Sequence, residues 1–252
     1  MDTVLAVIPA RYDSSRFPGK ALADLGGAPL VVRVAEMASR MREVDRIIVA
    51  TDDKRIQQAV VAAGFDCEKT GNHPTGTDRV GEVVARHPAD IVINLQGDEP
   101  LLDPADVDRL VVAMRQNPEV DLGTLAHPFD SRDEWLDPNN VKVLVDRSDR
   151  ALYFSRAAIP GAFPGAPVGS DRDSGQAGER LALRHVGVYT FRAETLSRML
   201  ILPRSPLEKA EGLEQLRALE NGLKIKVVRI ANRPIGVDTE ADLESVRRLW
   251  QA

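Results

Sequence analysis

The chain repeatedly sets a short, nearly unbroken apolar run in front of a longer stretch of helical period. The runs are Val4-Leu5-Ala6-Val7-Ile8, Arg46-Ile47-Ile48-Val49-Ala50-Thr51 and Ile91-Val92-Ile93-Asn94-Leu95. A strand with one wet face alternates apolar and polar residues, whereas a run without a polar face predicts burial on both sides. Between the first two runs Leu30, Val34, Ala35, Met37, Ala38 and Met41 recur at three- and four-residue steps, with Pro29 suited to a first helical turn. Further helices are predicted from about Lys54 to Gly64, from Gly76 or Thr77 to His87 and from about Pro104 to Gln116.

This alternation predicts an α/β fold, with a Rossmann-like, mostly parallel sheet carrying helices on both faces. The second half is less regular. Strands are predicted at 141–145, 151–154 and 186–191, with few helices between them, and 161–178 is so rich in Gly, Pro, Ser and Ala that it reads as a long mobile loop. Ser205-Pro206-Leu207-Glu208 has capping-box spacing and predicts one helix to about Asn221, followed by a strand at 225–230 and a closing helix from Thr239 to Trp250. The expected organisation is a single domain over 1–252. Its nucleotide-binding-like body takes about 1–130 and 205–252, and a smaller, mixed β-rich insertion takes about 131–204.

The 38 acidic against 33 basic residues, a net charge of -5, argue against a nucleic acid or an anionic membrane as the main partner, which would demand a basic face. Cys67 is the single cysteine, which excludes an internal disulfide and CxxC metal sites. Met1-Asp2-Thr3 lacks the basic start of a secretory signal, and no uncharged apolar run approaches the ~20 residues that span a bilayer. A cytoplasmic protein is expected.

Against that acidic background, loop 9–20 (PARYDSSRFPGK) is conspicuous for Arg11, Arg16 and Lys20, stiffened by Pro9 and Pro18. Ligands of open α/β sheets bind beyond the carboxyl ends of strands, and this loop leaves the first strand there. Arginine forks and a lysine point charge suit a triphosphate, and Gly19 lets backbone come close. A P-loop would need Gly at 14 and Ser or Thr at 21, where the chain has Ser14 and Ala21, and no GxGxxG follows the first strand. Two acids stand elsewhere: Asp98, in Gln96-Gly97-Asp98-Glu99-Pro100 after a buried strand, and Asp238, at the entrance to the last helix. Carboxylates near a triphosphate hold magnesium, yet the first is also good turn chemistry and the second a good helix cap.

Nine segments in order carry a wider likeness: IPARYDSSRFPGK, IIVATDD, HPTGTDR, NLQGDEP, PNNVKV, ALYFSRAAIP, RHVGVYTFR, SPLEKAEGLEQLRALENG and GVDTEADLE. Over most of its length the chain resembles the 3-deoxy-manno-octulosonate (Kdo) cytidylyltransferases. The resemblance implies transfer of CMP from CTP to the anomeric 2-hydroxyl of Kdo, giving CMP-Kdo and pyrophosphate for lipopolysaccharide synthesis. It assigns the CTP phosphates to Arg11, Ser14, Arg16 and Lys20, with Arg16 and Lys20 offsetting charge on the leaving pyrophosphate. It assigns the cytidine pocket to His73, Gly76, Thr77 and Asp78, and Mg²⁺ to Asp98 and Asp238. The acid sugar falls to Arg156, His185, Tyr189, Glu214 and Gln215, with Gln96 between the substrates. It also implies a homodimer formed through the β-rich part.

One stretch departs from the family pattern. After Ala157-Ala158-Ile159-Pro160 the family often continues with an aromatic residue and an Arg-Asp pair, where this chain has Gly161-Ala162-Phe163-Pro164-Gly165. That leaves open a modified acceptor such as 8-amino-Kdo, or another nonulosonic acid such as sialic acid, although SRAAIP, RHVGVY and LEQLR favour Kdo. A catalytically silent CTP sensor would predict damaged metal ligands, and Asp98 and Asp238 are both present.

Overall fold

The first apolar run becomes β1 (Val4–Pro9) of a computed structural model that describes residues 2–13, 17–161 and 181–250. A short 3₁₀ turn at Lys20–Leu22 and a small hairpin, β2 (Asp24–Leu25) and β3 (Ala28–Pro29), follow. Then come α1 (Leu30–Ala38), β4 (Arg46–Thr51), α2 (Lys54–Ala62), β5 (Cys67–Lys69), α3 (Gly76–Arg86), β6 (Ile91–Asn94) and α4 (Pro104–Gln116). The second half runs β7 (Leu122–Pro128), α5 (Arg132–Leu136), β8 (Lys142–Val145), β9 (Ala151–Ser155) and β10 (Leu183–Arg192). It closes with α6 (Ala193–Ile201), α7 (Pro206–Glu211), α8 (Gln215–Glu220), β11 (Ile225–Arg229) and α9 (Glu240–Trp250).

The main sheet has the order β11-β7-β10-β6-β1-β4-β5, with β8 and β9 continuing from β10. Pairings of β1 with β4 and β6, of β4 with β5 and of β11 with β7 are parallel, while β10 is antiparallel to its neighbours. This is the mostly parallel α/β fold that the apolar runs predict. In β1, Val4, Ala6 and Ile8 enter one core cluster, with residues of α1, α2 and α4; Leu5 and Val7 enter the other, with residues of α3, α6 and α8. Helices on both faces thus explain why the run has no polar side. A third cluster joins Leu25 and Leu30 to Val237, Leu243 and Val246, fastening α9 to the hairpin.

Several elements differ from the sequence reading. The predicted helix from Ser205 to Asn221 is two helices, because Gly212 ends α7 in the left-handed region at φ 65°. Strand β10 lies inside the main sheet and α6 packs on α3, so the 131–204 stretch supplies a central strand as well as the β8–β9 extension. Pro29 belongs to β3 rather than to the first turn of α1. Strand β7 escaped the pattern search because Gly123, Thr124 and His127 break its apolar run. The glycine is there for packing: a Cβ at 123 would meet Leu110 Cδ1 at 2.7 Å. The loop expected over 161–178 lies, beyond Gly161, outside the described residues.

Candidate active site

The carboxyl ends of β1 and β6 lie side by side, and their following loops press together. A Cβ on Gly97 would meet the Pro9 carbonyl oxygen at 3.1 Å, so a glycine lets the segment carrying Asp98 lie against the end of β1. Gly19 has φ 77° and its N–H donates to Tyr12 O at 2.9 Å, folding the opening loop back so that Lys20 starts a helical turn. The third piece arrives through Val237, whose N–H donates to Asp98 O at 2.8 Å. Together these contacts bring Lys20 Nζ 2.6 Å from Asp98 Oδ2 and 3.5 Å from Asp238 Oδ1. The capping question at α9 is answered too. Thr239 Oγ1 accepts from Asp242 N at 3.2 Å, and Asp242 Oδ2 accepts from Thr239 N at 2.8 Å, while the Asp238 carboxylate faces Lys20.

These groups open onto a cavity of about 510 Å³. Arg11, Gly76, Thr77, Gln96, Tyr189 and Glu214 also line it, so it gathers most of the residues that the sequence analysis singled out. Its floor is a chain of polar contacts. Gln96 Nε2 donates to Asn94 Oδ1 at 3.4 Å, Asn94 Nδ2 to Thr77 Oγ1 at 3.2 Å, and Thr77 Oγ1 to Glu214 Oε2 at 3.2 Å. Burial raises the Glu214 carboxyl above its ordinary value, only partly offset by Arg217. Burial, with Glu214 nearby, also raises the Tyr189 phenol, which keeps its proton as a hydrogen-bond donor.

Other expected residues stand aside. Asp78 closes the capping box of α3 with Thr75, and its oxygen accepts from Thr75 Oγ1 at 2.7 Å. His73 pairs with Glu82 and lines a neighbouring recess of about 340 Å³, which shares Arg11, Asp13 and Arg79 with the main cavity. Arg156 Nε donates to Glu211 O at 2.8 Å and its Nη1 to Pro138 O at 3.2 Å, so it ties β9 to its surroundings and does not line the cavity. Gln215 is buried on α8, its Nε2 without a hydrogen-bond partner. Ser14 and Arg16 lie outside the described residues.

His185 lines a second cavity, of about 390 Å³, on the far side of Asp238. The register of β10 against β7 shifts between Val186 and Tyr189, and the His185 and Tyr189 rings lie 5.3 Å apart. Its Nε2 is 2.9 Å from Thr124 Oγ1, and burial pushes the imidazole down to about 3, so it is neutral. Glu99, behind Asp98, lines this second cavity. Burial, with Asp98 and Asp238 beside it, pushes its carboxyl up to about 8.

The sequence reading passed over three of these residues. Arg79 is 3% exposed, its guanidinium 3.0 Å from Asp52 Oδ2 and bonded to Thr70 Oγ1. It ends the HPTGTDR segment, one turn into α3, where an arginine facing the sheet edge was the available signal. Asn94 and Glu99 sit inside NLQGDEP but were read as strand end and turn. Among the described residues no group of three or more His, Cys, Asp or Glu side chains is arranged for a metal. Asp98 and Asp238 offer two hard carboxylates around one ammonium position, a donor set that suits a divalent cation whose remaining oxygens come from phosphate and water.

Comparison with known proteins matches residues 5–225 to the model of the cytidylyltransferase family. A 3-deoxy-manno-octulosonate cytidylyltransferase of Geobacter sulfurreducens is 47% identical over 244 residues, covering 96% of this chain and 97% of the relative. Its counterpart in Syntrophotalea carbinolica is 46% identical over 245 residues, covering 97% of each. Among solved structures, a CMP:2-keto-3-deoxy-manno-octonic acid synthetase complexed with CTP superposes with a TM-score of 0.90 at 43% identity, covering 99% of this chain and 98% of that one. A 4-diphosphocytidyl-2C-methyl-D-erythritol synthase from Anaerococcus prevotii, at 14% identity and a TM-score of 0.64 over 100% of this chain and 97% of its own, shares the fold.

Proposed function

The chain belongs to the cytidylyltransferase family, and from that premise we propose that it transfers CMP from CTP to the anomeric 2-hydroxyl of 3-deoxy-manno-octulosonate, releasing pyrophosphate. The observation that carries the reading is the convergence of Lys20, Asp98 and Asp238 at the sheet edge, in a cavity that Arg11, the start of α3, Tyr189 and Glu214 also line.

Arg11 and Lys20, joined by Arg16 of the same loop, bind the triphosphate and offset charge that gathers on the leaving pyrophosphate. Backbone at 74–77 and the buried Arg79 line the nucleoside end. Gln96, Tyr189 and Glu214 orient the acceptor hydroxyl; its oxygen bonds to the α-phosphorus as the bond to the pyrophosphate oxygen breaks, and the proton passes to solvent. The family uses a divalent cation, and we assign Mg²⁺ to Asp98 and Asp238. When bound, it supplies charge neutralisation at the α-phosphate and lowers the pKa of the attacking hydroxyl. The Lys20 ammonium between the carboxylates keeps them paired at close range.

The reading includes a homodimer built on the β-rich part. In its support, β9 pairs only with β8 among the described residues, and Leu152 on it is 62% exposed. No helix among the described residues is long and apolar enough to cross a membrane.

The test is pyrophosphate release with Mg²⁺ and CTP, offering Kdo, 8-amino-Kdo and sialic acid in parallel. Release with Kdo above the other two is expected. Preference for 8-amino-Kdo or sialic acid would move the acceptor while keeping the reaction, and silence with all three would remove the reading. Light scattering on the same preparation should give twice the chain mass, and a monomer would remove the dimer.

A further inference from the structure

We propose that the second cavity is a far subsite for the acceptor, taking the hydroxylated end of the acid sugar opposite its reacting carbon, with Glu99 and Arg184 as specificity-determining residues. The inference rests on the transferase reading and deepens it.

The two cavities have one lining residue in common, Asp238. From loop 9–20, Pro9, Ala10, Arg11, Asp13 and Lys20 line the first cavity, as do residues 74–77 and Arg79, and none of them borders the second. With the nucleotide on one side of Asp98 and Asp238 and the reacting carbon beside them, the part of the acceptor remote from that carbon extends across Asp238. The space there is about 390 Å³, ample for a hydroxylated two- or three-carbon tail.

The lining chemistry is that of a polyol site. Glu99 Oε2 and Arg184 Nη1 are buried and have no hydrogen-bond partner among the described residues. Arg184 pairs with Glu134, whose Oε1 lies 3.7 Å from Nη1, beyond hydrogen-bond reach. Buried polar atoms without partners are costly, and a ligand hydroxyl relieves both kinds because it donates and accepts. An anionic ligand would meet Asp238 and Asp242 beside Glu99; a cationic one would meet Arg184. Neutral hydroxyls suit all four, and Asn139 and Asn140 add amides to the same wall. Position 236 is built around Glu99: a Cβ there would meet Glu99 Oε1 at 3.0 Å, so Gly236 leaves the carboxyl room to point inward. This site also gives the PNNVKV segment a role that the nucleotide loop does not.

The test is steady-state KM for Kdo and for CTP in the wild type, Glu99→Met and Arg184→Met, repeated with a seven-carbon analogue lacking the terminal hydroxymethyl group. Methionine removes the polar atoms at similar volume. The expected result is a tenfold or greater rise in KM for Kdo in both variants, with KM for CTP within twofold of wild type. The analogue should show a raised KM in the wild type and little further loss in the variants. Unfolding midpoints are read alongside, and Arg184→Met carries the test if Glu99→Met does not fold. Kdo KM within twofold of wild type, or an equal rise for CTP, overturns the subsite alone. A wild type that turns over neither acid overturns the subsite together with the transferase reading.

Discussion

At the scale of single residues, the site is governed by which charges are paired and which are starved of water. Lys20 touches both carboxylates that the sequence analysis set aside for a metal, so three groups far apart in the chain form one electrostatic unit. His185 shows the other influence. Its imidazole is held down to about 3 by burial, against about 6.5 in an unfolded chain, so the unfolded state binds more protons between those values. Its contribution to stability is therefore complete above about pH 6.5 and declines as pH falls toward 3. NMR of the ring should show flat His185 shifts from about pH 5 to 8. A midpoint near 6.5 would contradict a buried, neutral imidazole beside Thr124.

Among the elements, α7 and α8 show how a break in regular structure can position a side chain. Ser205 caps α7 and Gly212 ends it, yet the two helices are clamped by Arg217, which donates to Glu208 Oε2 at 2.8 Å and to Oε1 at 2.7 Å. Against the upward push of burial, Arg217 holds the Glu208 carboxyl below its ordinary value. That contribution is present above about pH 4.5 and is lost as pH falls through the lowered value. Arg217→Met should leave Glu208, 2% exposed, without its main buried partner and cost about 3 kcal/mol. Glu214 lies three residues before Arg217, so KM for the acceptor should rise as well. Denaturant unfolding and kinetics on one preparation check both, and an unchanged midpoint would show that the clamp does not hold the helices. The sequence displayed Ser205 and Glu208 as a cap but not the break, because a glycine after six helical residues reads equally well as an interior residue until its φ is known.

For the whole molecule, the strands buried on both faces were the most readable part. β1, β4 and β6 announced themselves because little that is polar interrupts the pattern that burial requires. β7 and β10 were harder, since Gly123, Thr124, His185 and Gly187 sit where packing and the site, rather than hydrophobicity, set the residue. The cavity was legible where its lining is charge set in the loops beyond the strands, as at Arg11, Lys20, Asp98 and Asp238. It was not legible where a residue acts by being buried. Arg79, Asn94 and Glu99 look in sequence like a helix surface, a strand end and a turn, and only long-range packing brings them to the cavities. Asp78 and Arg156 do not line the cavity; the fold employs them in a cap and in a tie between segments. The central claim is that the sheet edge joining Lys20, Asp98 and Asp238 performs the transfer. Its most direct test is turnover of CTP and Kdo by Asp98→Asn, with the unfolding transition recorded on the same protein. The account predicts a kcat lower by about a thousandfold or more with a cooperative fold intact. Wild-type turnover in that variant would contradict it.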